Sequence, residues 1–174
     1  ATHLIIALLL GSIIRDYFIK DKKNFPLIYV LIFGIGGILP DIDVFAFWIL
    51  YFFGFSLLEV HRTFSHTLFL PLLLLISSNI FFNVKKIKFR KDKLSISIIF
   101  SMLGLGVFVH LILDAMFAGY IMPFYPFSYL TAGLNLIYVL PDALSRIFLP
   151  TLDAVLIIVW VVYLEVKHKI SDFI

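Results

Sequence analysis

Twelve of the fourteen lysines and arginines of this chain fall into three short segments, and the sequence between them is almost continuously apolar. The basic segments are residues 15–24 (Arg15, Lys20, Lys22, Lys23), residues 85–93 (Lys85, Lys86, Lys88, Arg90, Lys91, Lys93) and the tail (Lys167, Lys169). Around them lie six apolar stretches, residues 4–14, 25–39, 44–58, 67–84, 94–118 and 147–164. Basic residues that flank apolar spans stay on the cytoplasmic side, so this alternation is that of a chain threaded through a membrane. Hydrophobic residues make up 62% of the 174 and charged residues 14%. Soluble domains carry roughly 45–50% and about 25%. A soluble globule could not bury so much apolar surface, and intrinsic disorder is excluded by the same figures. The expectation is an all-α, polytopic integral membrane protein with one domain over residues 1–174.

With all three basic segments on the cytoplasmic side, residues 4–14 run inward, 25–39 outward, 67–84 inward, 94–118 outward and 147–164 inward. This parity holds only if residues 44–58 do not cross. Their Phe, Trp and Tyr content suits a re-entrant or interfacial helix. The predicted architecture is therefore about five transmembrane helices plus that helix. The run 4–14 has no basic region before it and no small-residue cleavage site after it, so it reads as a retained helix. The topology gathers His3, Asp41, Asp43, His61, His66, His110 and Asp114 at or below the outer surface. His168, in the basic tail, reads as an ordinary solvated residue, and no ionisable residue is evident in the inner halves of the helices. The absence of cysteine excludes disulfides and thiolate metal sites. The absence of an internal repeat argues against a transporter built from inverted halves.

His110 and Asp114 lie in an apolar helix, four residues and about 400° apart, so they share one face. A carboxylate in hydrocarbon costs roughly 2.5–3.5 kcal/mol and needs a partner. The pair reads as metal ligands, with a structural His–Asp hydrogen bond as the alternative. Pro40 breaks the second apolar stretch just before Asp41-Ile42-Asp43, and Gly34, Gly36 and Gly37 thin the helix ahead of it. In an extended turn the carboxylates of Asp41 and Asp43 point the same way. Like charges that close demand a cation. A polar turn at the membrane surface is the alternative. In His61-Arg62-Thr63-Phe64-Ser65-His66 the two histidines stand about 140° apart on a helix, which favours a loop entering a helix N-terminus capped by Thr63 or Ser65. Arg62 offers a guanidinium suited to phosphate, or equally a lipid-headgroup anchor. His3 joins the set because the topology places it with the others. Residues 115–150, broken by Pro123, Pro126, Pro141 and Pro150, read as an outer lid. Tyr120, Phe124, Tyr125, Phe127 and Tyr129 there form an aromatic belt or grip a lipid chain.

Thr2-His3-Leu4, Gly37-Ile38-Leu39-Pro40-Asp41-Ile42-Asp43, His61-Arg62-Thr63-Phe64-Ser65-His66 and His110-Leu111-Ile112-Leu113-Asp114, with Pro123 and Pro126 after them, occur in an order that resembles the YdjM-like family. That family comprises inner-membrane-associated, metal-dependent hydrolases of prokaryotes, often described as LexA-regulated. The resemblance covers nearly the whole chain and implies a hydrolase at the inner membrane. The LexA link concerns gene regulation and does not imply binding of nucleic acid. The ligand pattern is also similar, more weakly, to zinc-dependent phospholipase C and the related single-strand nucleases, which would imply phosphoester hydrolysis. The downstream His and Glu ligands of those enzymes have no clear counterpart here. Other hydrolase patterns are missing. There is no His-Glu-x-x-His and no Gly-x-Ser-x-Gly, and the arginine that type-2 phosphatidic acid phosphatases place six residues before their histidine is Gly104 here.

The expected function is a metal-dependent hydrolase that acts on a membrane lipid ester, most plausibly a phosphoester such as a phospholipid or polyprenyl phosphate. Its site faces the outer side of the inner membrane. His3, Asp41, Asp43, His61, His66, His110 and Asp114 would hold one or two divalent ions, zinc first, with manganese or iron as alternatives. Arg62 would bind substrate phosphate and Asp43 would take a proton from water. Two other classes compete: a divalent-ion or proton transporter, and a lipid-binding scaffold around a structural metal.

Overall fold

A computed structural model describes residues 1–61, 63–84, 86–89 and 92–169. Helix α1 (Thr2–Ile13) continues through a π-helical turn, Ile14–Phe18. Helix α2 (Ile28–Gly36) is followed by a 3-10 turn at Pro40–Ile42 and by α3 (Asp43–Leu50). Then come the short α4 (Leu57–Val60), a 3-10 turn at Phe64–His66 and α5 (Phe69–Ile80). An antiparallel hairpin of β1 (Ile87–Phe89) and β2 (Asp92–Leu94) pairs Ile87 with Leu94. Helix α6 (Ile96–Leu113) runs into a π-helical turn, Asp114–Ala118, and α7 (Asp142–His168) closes the described chain. The fold is mostly helical, as the sequence predicts, apart from the small hairpin in the second basic segment.

The expected five spans are not present. Among the described residues two helices are long and apolar enough to cross a membrane, Ile96–Phe117 and Asp142–His168, or three if the bent pair Ile28–Gly36 and Pro40–Phe53 counts as one. The reason is length. Helix α5 has 12 residues, about 18 Å of rise, and α1 with its π-helical turn ends at Phe18, about 25 Å, against a hydrocarbon thickness of about 30 Å. Apolarity extends beyond each helix into turns, so apolar runs overstate helix length. The segment expected to lie re-entrant or at the interface, residues 44–58, is α3 with its 3-10 extension Tyr51–Phe53, and a 57° bend separates it from α2. Helix α7 begins at Asp142 and runs through Pro150, so the irregular outer segment ends at Pro141 and not at Pro150 as the prolines suggest. No residue of α7 is buried, and its Ile147, Val155, Ile158 and Val162 face outward, as suits a helix surface bathed in lipid.

Close packing joins α1, α2 and α6. A methyl group on Gly106 would stand 2.3 Å from the carbonyl oxygen of Phe33, and one on Gly36 would stand 2.5 Å from that of Leu103. On the other side of α2, Gly34 and Gly37 lie against Leu8 and Ala7 of α1. Small residues let apolar helices approach where lipid supplies no hydrophobic drive between them. The glycines before Pro40 therefore serve packing on two sides. Tyr29, Phe33, Ala7 and Met102 fill the core beside them. Ser78 of α5 bonds Ser97 and Ser101 of α6 at 3.0 and 2.6 Å, a polar tie of the kind that joins membrane helices.

The three basic segments meet at one end. Lys86 Nζ donates to Asn24 Oδ1 at 3.0 Å. Asp16 accepts from Arg15, Tyr163 and His168 at 2.9 Å each. Burial works against the charge of Asp16, but the hydrogen bonds from Tyr163 and His168 and the neighbouring cations hold its carboxyl below the usual range. His168 is thus a partner in a polar knot that ties α1 to α7, where the sequence suggests a solvated residue.

Two measurements check this architecture. Gly106→Ala should destabilise the purified protein by about 1–3 kcal/mol through overpacking against α2, read as a lowered thermal midpoint. The chain has no cysteine, so Lys86→Cys and Tyr129→Cys can each be labelled without background. Intact cells should label Tyr129→Cys alone with an impermeant maleimide, and labelling of Lys86→Cys instead would reverse the topology.

Candidate metal centre

Four elements deliver polar side chains to one point. The first turn of α1 carries His3, and the 3-10 turn after α2 carries Asp41, with Asp43 opening α3. The turn ahead of α5 carries His66, preceded by His61, and the end of α6 carries His110 and Asp114. His66 and His110 are fully buried, Asp114 nearly so, and Asp41 is 44% exposed. The Nε2 atoms of His66 and His110 are 3.2 Å apart. Asp41 Oδ1 lies 3.7 Å from the first and 3.6 Å from the second. Asp114 Oδ2 lies 3.5 and 3.8 Å from the same two atoms. On the flanks, His3 Nε2 is 3.0 Å from Asp114 Oδ1 with its ring stacked on His110, and His61 Nδ1 donates to Asp43 Oδ1 at 2.8 Å.

Both central imidazoles are held from behind. His110 Nδ1 donates to the carbonyl oxygen of Gly37 at 2.8 Å. A carbonyl only accepts, so the hydrogen sits on Nδ1 and the Nε2 lone pair faces the centre. His66 Nδ1 lies 3.2 Å from Asp43 Oδ2 and 3.0 Å from Ser65 Oγ, and Ser65 Oγ donates to Asp43 Oδ2 at 2.5 Å. With both rings neutral, two lone pairs and two carboxylate oxygens converge, an arrangement that a cation among them would satisfy, whereas a proton on His66 Nε2 would be donated to His110 Nε2. Ligand atoms around a tetrahedral zinc, with bonds near 2.0–2.2 Å, stand about 3.4 Å from one another. The five separations of 3.2–3.8 Å match that spacing. Tying Nδ1 of a ligand histidine to a carboxylate or carbonyl is also how metal sites orient imidazoles. The residues present therefore fit a divalent ion. Two triads could hold one each, His3 with His110 and Asp114, and Asp41 with His61 and His66.

Over residues 1–169 the sequence matches the YdjM inner membrane protein family. The chain belongs to this family. No curated protein and no solved structure matches it. Membership supports a location in the inner membrane, in keeping with the apolar helices.

All seven residues that the sequence nominates as ligands are brought into one connected network in this YdjM-family chain. The route differs from the expected one in three places. Asp41 and Asp43 sit on helical turns rather than on an extended one, so they diverge: Asp41 faces the centre and Asp43 backs His61 and His66. Neither Thr63 nor Ser65 caps α5. Thr63 Oγ1 donates to the Val60 carbonyl, Ser65 belongs to the site, and α5 has no side-chain cap. Arg62 lies outside the described residues. Ser65 and the Gly37 carbonyl were not singled out as site groups. Its place directly after Gly34-Ile35-Gly36, at a helix end, is the signal that points to the carbonyl, since the last carbonyls of a helix lack partners. Replacing Asp43 with Ala removes the shared acceptor of His61, Ser65 and His66. The expected cost is at least about 1.5–3 kcal/mol of stability and about 10–100-fold in divalent-metal affinity, read by denaturation and by metal titration.

Proposed function

We propose that this chain is a membrane-embedded, metal-dependent hydrolase of a lipid ester, by preference a phosphoester. The observation that carries the reading is the convergence of His66 Nε2 and His110 Nε2 with Asp41 Oδ1 and Asp114 Oδ2, five of whose mutual separations lie between 3.2 and 3.8 Å. These four residues would hold the ion, with His3 and His61 beside it. Nitrogen and oxygen donors in that spacing suit zinc, then manganese or iron. Such an ion supplies Lewis-acid activation of water and of an ester oxygen.

The remaining work falls to the chain itself. Asp43 accepts from three side chains, so we assign it to orienting imidazoles rather than to accepting a proton from water. That second role suits His3. Its Nε2 donates to Asp114 Oδ1, which leaves Nδ1 as the proton-accepting atom, and its ring is 24% exposed. Exposure of Asp41 opens the site on one side. A lipid substrate is supported by an apolar groove of about 560 Å³ between α5 and the segment Tyr125-Pro126-Phe127. Its upper wall includes Phe64 and Thr67, which bracket Ser65 and His66 in sequence. A site with hydrocarbon-lined walls excludes bulk water and favours a substrate with an apolar tail.

The knot around Asp16 gives one reason to keep ion movement as a second reading, because intramembrane carboxylates and histidines also line transport paths. The core between the two polar ends, Ala7, Tyr29 and Phe33, offers little for an ion to follow.

Elemental analysis of protein purified without chelator should find one or more zinc or manganese ions per chain, absent from Asp114→Ala. The loaded protein should hydrolyse lipid phosphoesters, with kcat/KM lowered at least about a thousandfold in His110→Ala and restored by no added metal. A metal-free wild type would overturn the reading. Retained metal with metal-driven flux into vesicles, and no hydrolysis, would select the transporter.

A further inference from the structure

Of the fourteen basic residues, twelve belong to the three segments of the basic end, and Arg62 lies outside the described residues. The remaining cation is Arg146, in the second turn of α7. It lines a cleft of about 420 Å³ between that helix and the 3-10 turn Leu136–Val139, together with Tyr138, Asp142 and Ser145. Phe117 and Leu149 also belong to the lining, and the same two residues line a smaller cleft of about 130 Å³ that contains His3, Thr2 and Asp153. The two clefts thus share the wall formed by Phe117 and Leu149, which sets them side by side along one face of α7. On α7 this face is formed by residues 142, 146, 149 and 153, which recur at helical spacing. The rise from Arg146 to Asp153 is about 10 Å.

Among the described residues, Arg146 has no hydrogen-bond or ion-pair partner. Asp142, one turn before it, lines the same cleft without forming an ion pair with it. A guanidinium on a helix read as a membrane span costs free energy unless it reaches water or an anion. At the end away from the basic segments, topology gives no reason for a cation. The planar fork of arginine matches phosphate oxygens in pairs, and the Tyr138 hydroxyl in the same lining can donate as well.

We propose that this cleft is a phosphate-ester subsite in which Arg146 holds the headgroup phosphate of a membrane lipid beside the metal centre. Its role in choosing a substrate rests on the hydrolase reading, whereas the anion site itself does not.

The test uses the full chain in dodecyl maltoside, with chelator added to stop any turnover. Binding of phosphatidylglycerol is compared with binding of diacylglycerol, which lacks the phosphate, by native mass spectrometry. Wild type should prefer phosphatidylglycerol. Arg146→Gln should lose that preference by about 10–100-fold, with its thermal midpoint and its metal content before chelation unchanged. Arg146→Lys should keep part of it, because the charge remains and the fork does not. Leu149→Trp, which fills the cleft and leaves Arg146 in place, should lose it as well. Competition by glycerol 3-phosphate would identify a free phosphate ester as a sufficient ligand, and its failure to compete would identify the lipid-borne group. An unchanged preference in Arg146→Gln overturns the proposal. So does a preference lost in Arg146→Gln and kept in Leu149→Trp, which would make Arg146 an anchor at the micelle surface. Phosphatidylglycerol bound through Arg146 by a chain that hydrolyses nothing would sink the hydrolase reading and leave the subsite standing.

Discussion

The approach of α2 to α6 at Gly36 and Gly106 governs the geometry of everything around it. Backbone meets backbone there, with no room for a side chain on either glycine. That contact brings the C-terminal end of α2 alongside the last turns of α6. Gly37 then offers its carbonyl to His110, and Asp41 reaches the Nε2 atoms of His110 and His66. Helix α1 packs on the opposite side of the same glycine-rich stretch, which sets His3 against Asp114. One tight crossing thus aligns three of the four elements that build the polar centre.

A second constraint is electrostatic. The centre holds four imidazoles and three carboxylates in a mostly apolar body. Such a group is costly to assemble unless each member is satisfied. The outer partners, Asp43, Ser65 and the Gly37 carbonyl, meet the rear nitrogens of His66 and His110 and leave the front ones converging. The arrangement suits a cation-binding shell, in which an ion takes the place of the single proton that the two facing Nε2 atoms could otherwise share. The opposite end of the molecule follows a different pattern: Asp16 accepts from Arg15, Tyr163 and His168, and acceptor meets donor throughout.

Much of the site was legible because chemistry there departs from its surroundings. Aspartate and histidine in apolar helices stand out, and His110 with Asp114 at four-residue spacing forces a shared face whatever the tertiary fold. Membership of the YdjM inner membrane protein family was legible in the same motifs. The span count was not, because hydropathy measures apolarity and not where a helix stops. Residues 4–14 and 67–84 are as apolar as a span, yet α5 ends after 12 residues and α1, even with its π-helical turn, stops at Phe18. The partition of Asp41 and Asp43 was also illegible. Two residues on successive helical turns diverge where an extended strand would align them, and only the backbone at Pro40–Ile42 decides between the two.

By itself the sequence determined that this chain is a helical membrane protein and that seven of its His and Asp residues form a set apart from the basic segments, because composition and charge placement act without reference to contacts. Tertiary structure alone decided which atoms face the centre and which stand behind it, that Ser65 and the Gly37 carbonyl support the imidazoles, and that Arg146 opens onto a cleft sharing a wall with that of His3. Those outcomes depend on helix crossings a few ångströms wide, and residues more than forty positions apart, such as His66 and His110, acquire a relation only when the glycines let the helices close.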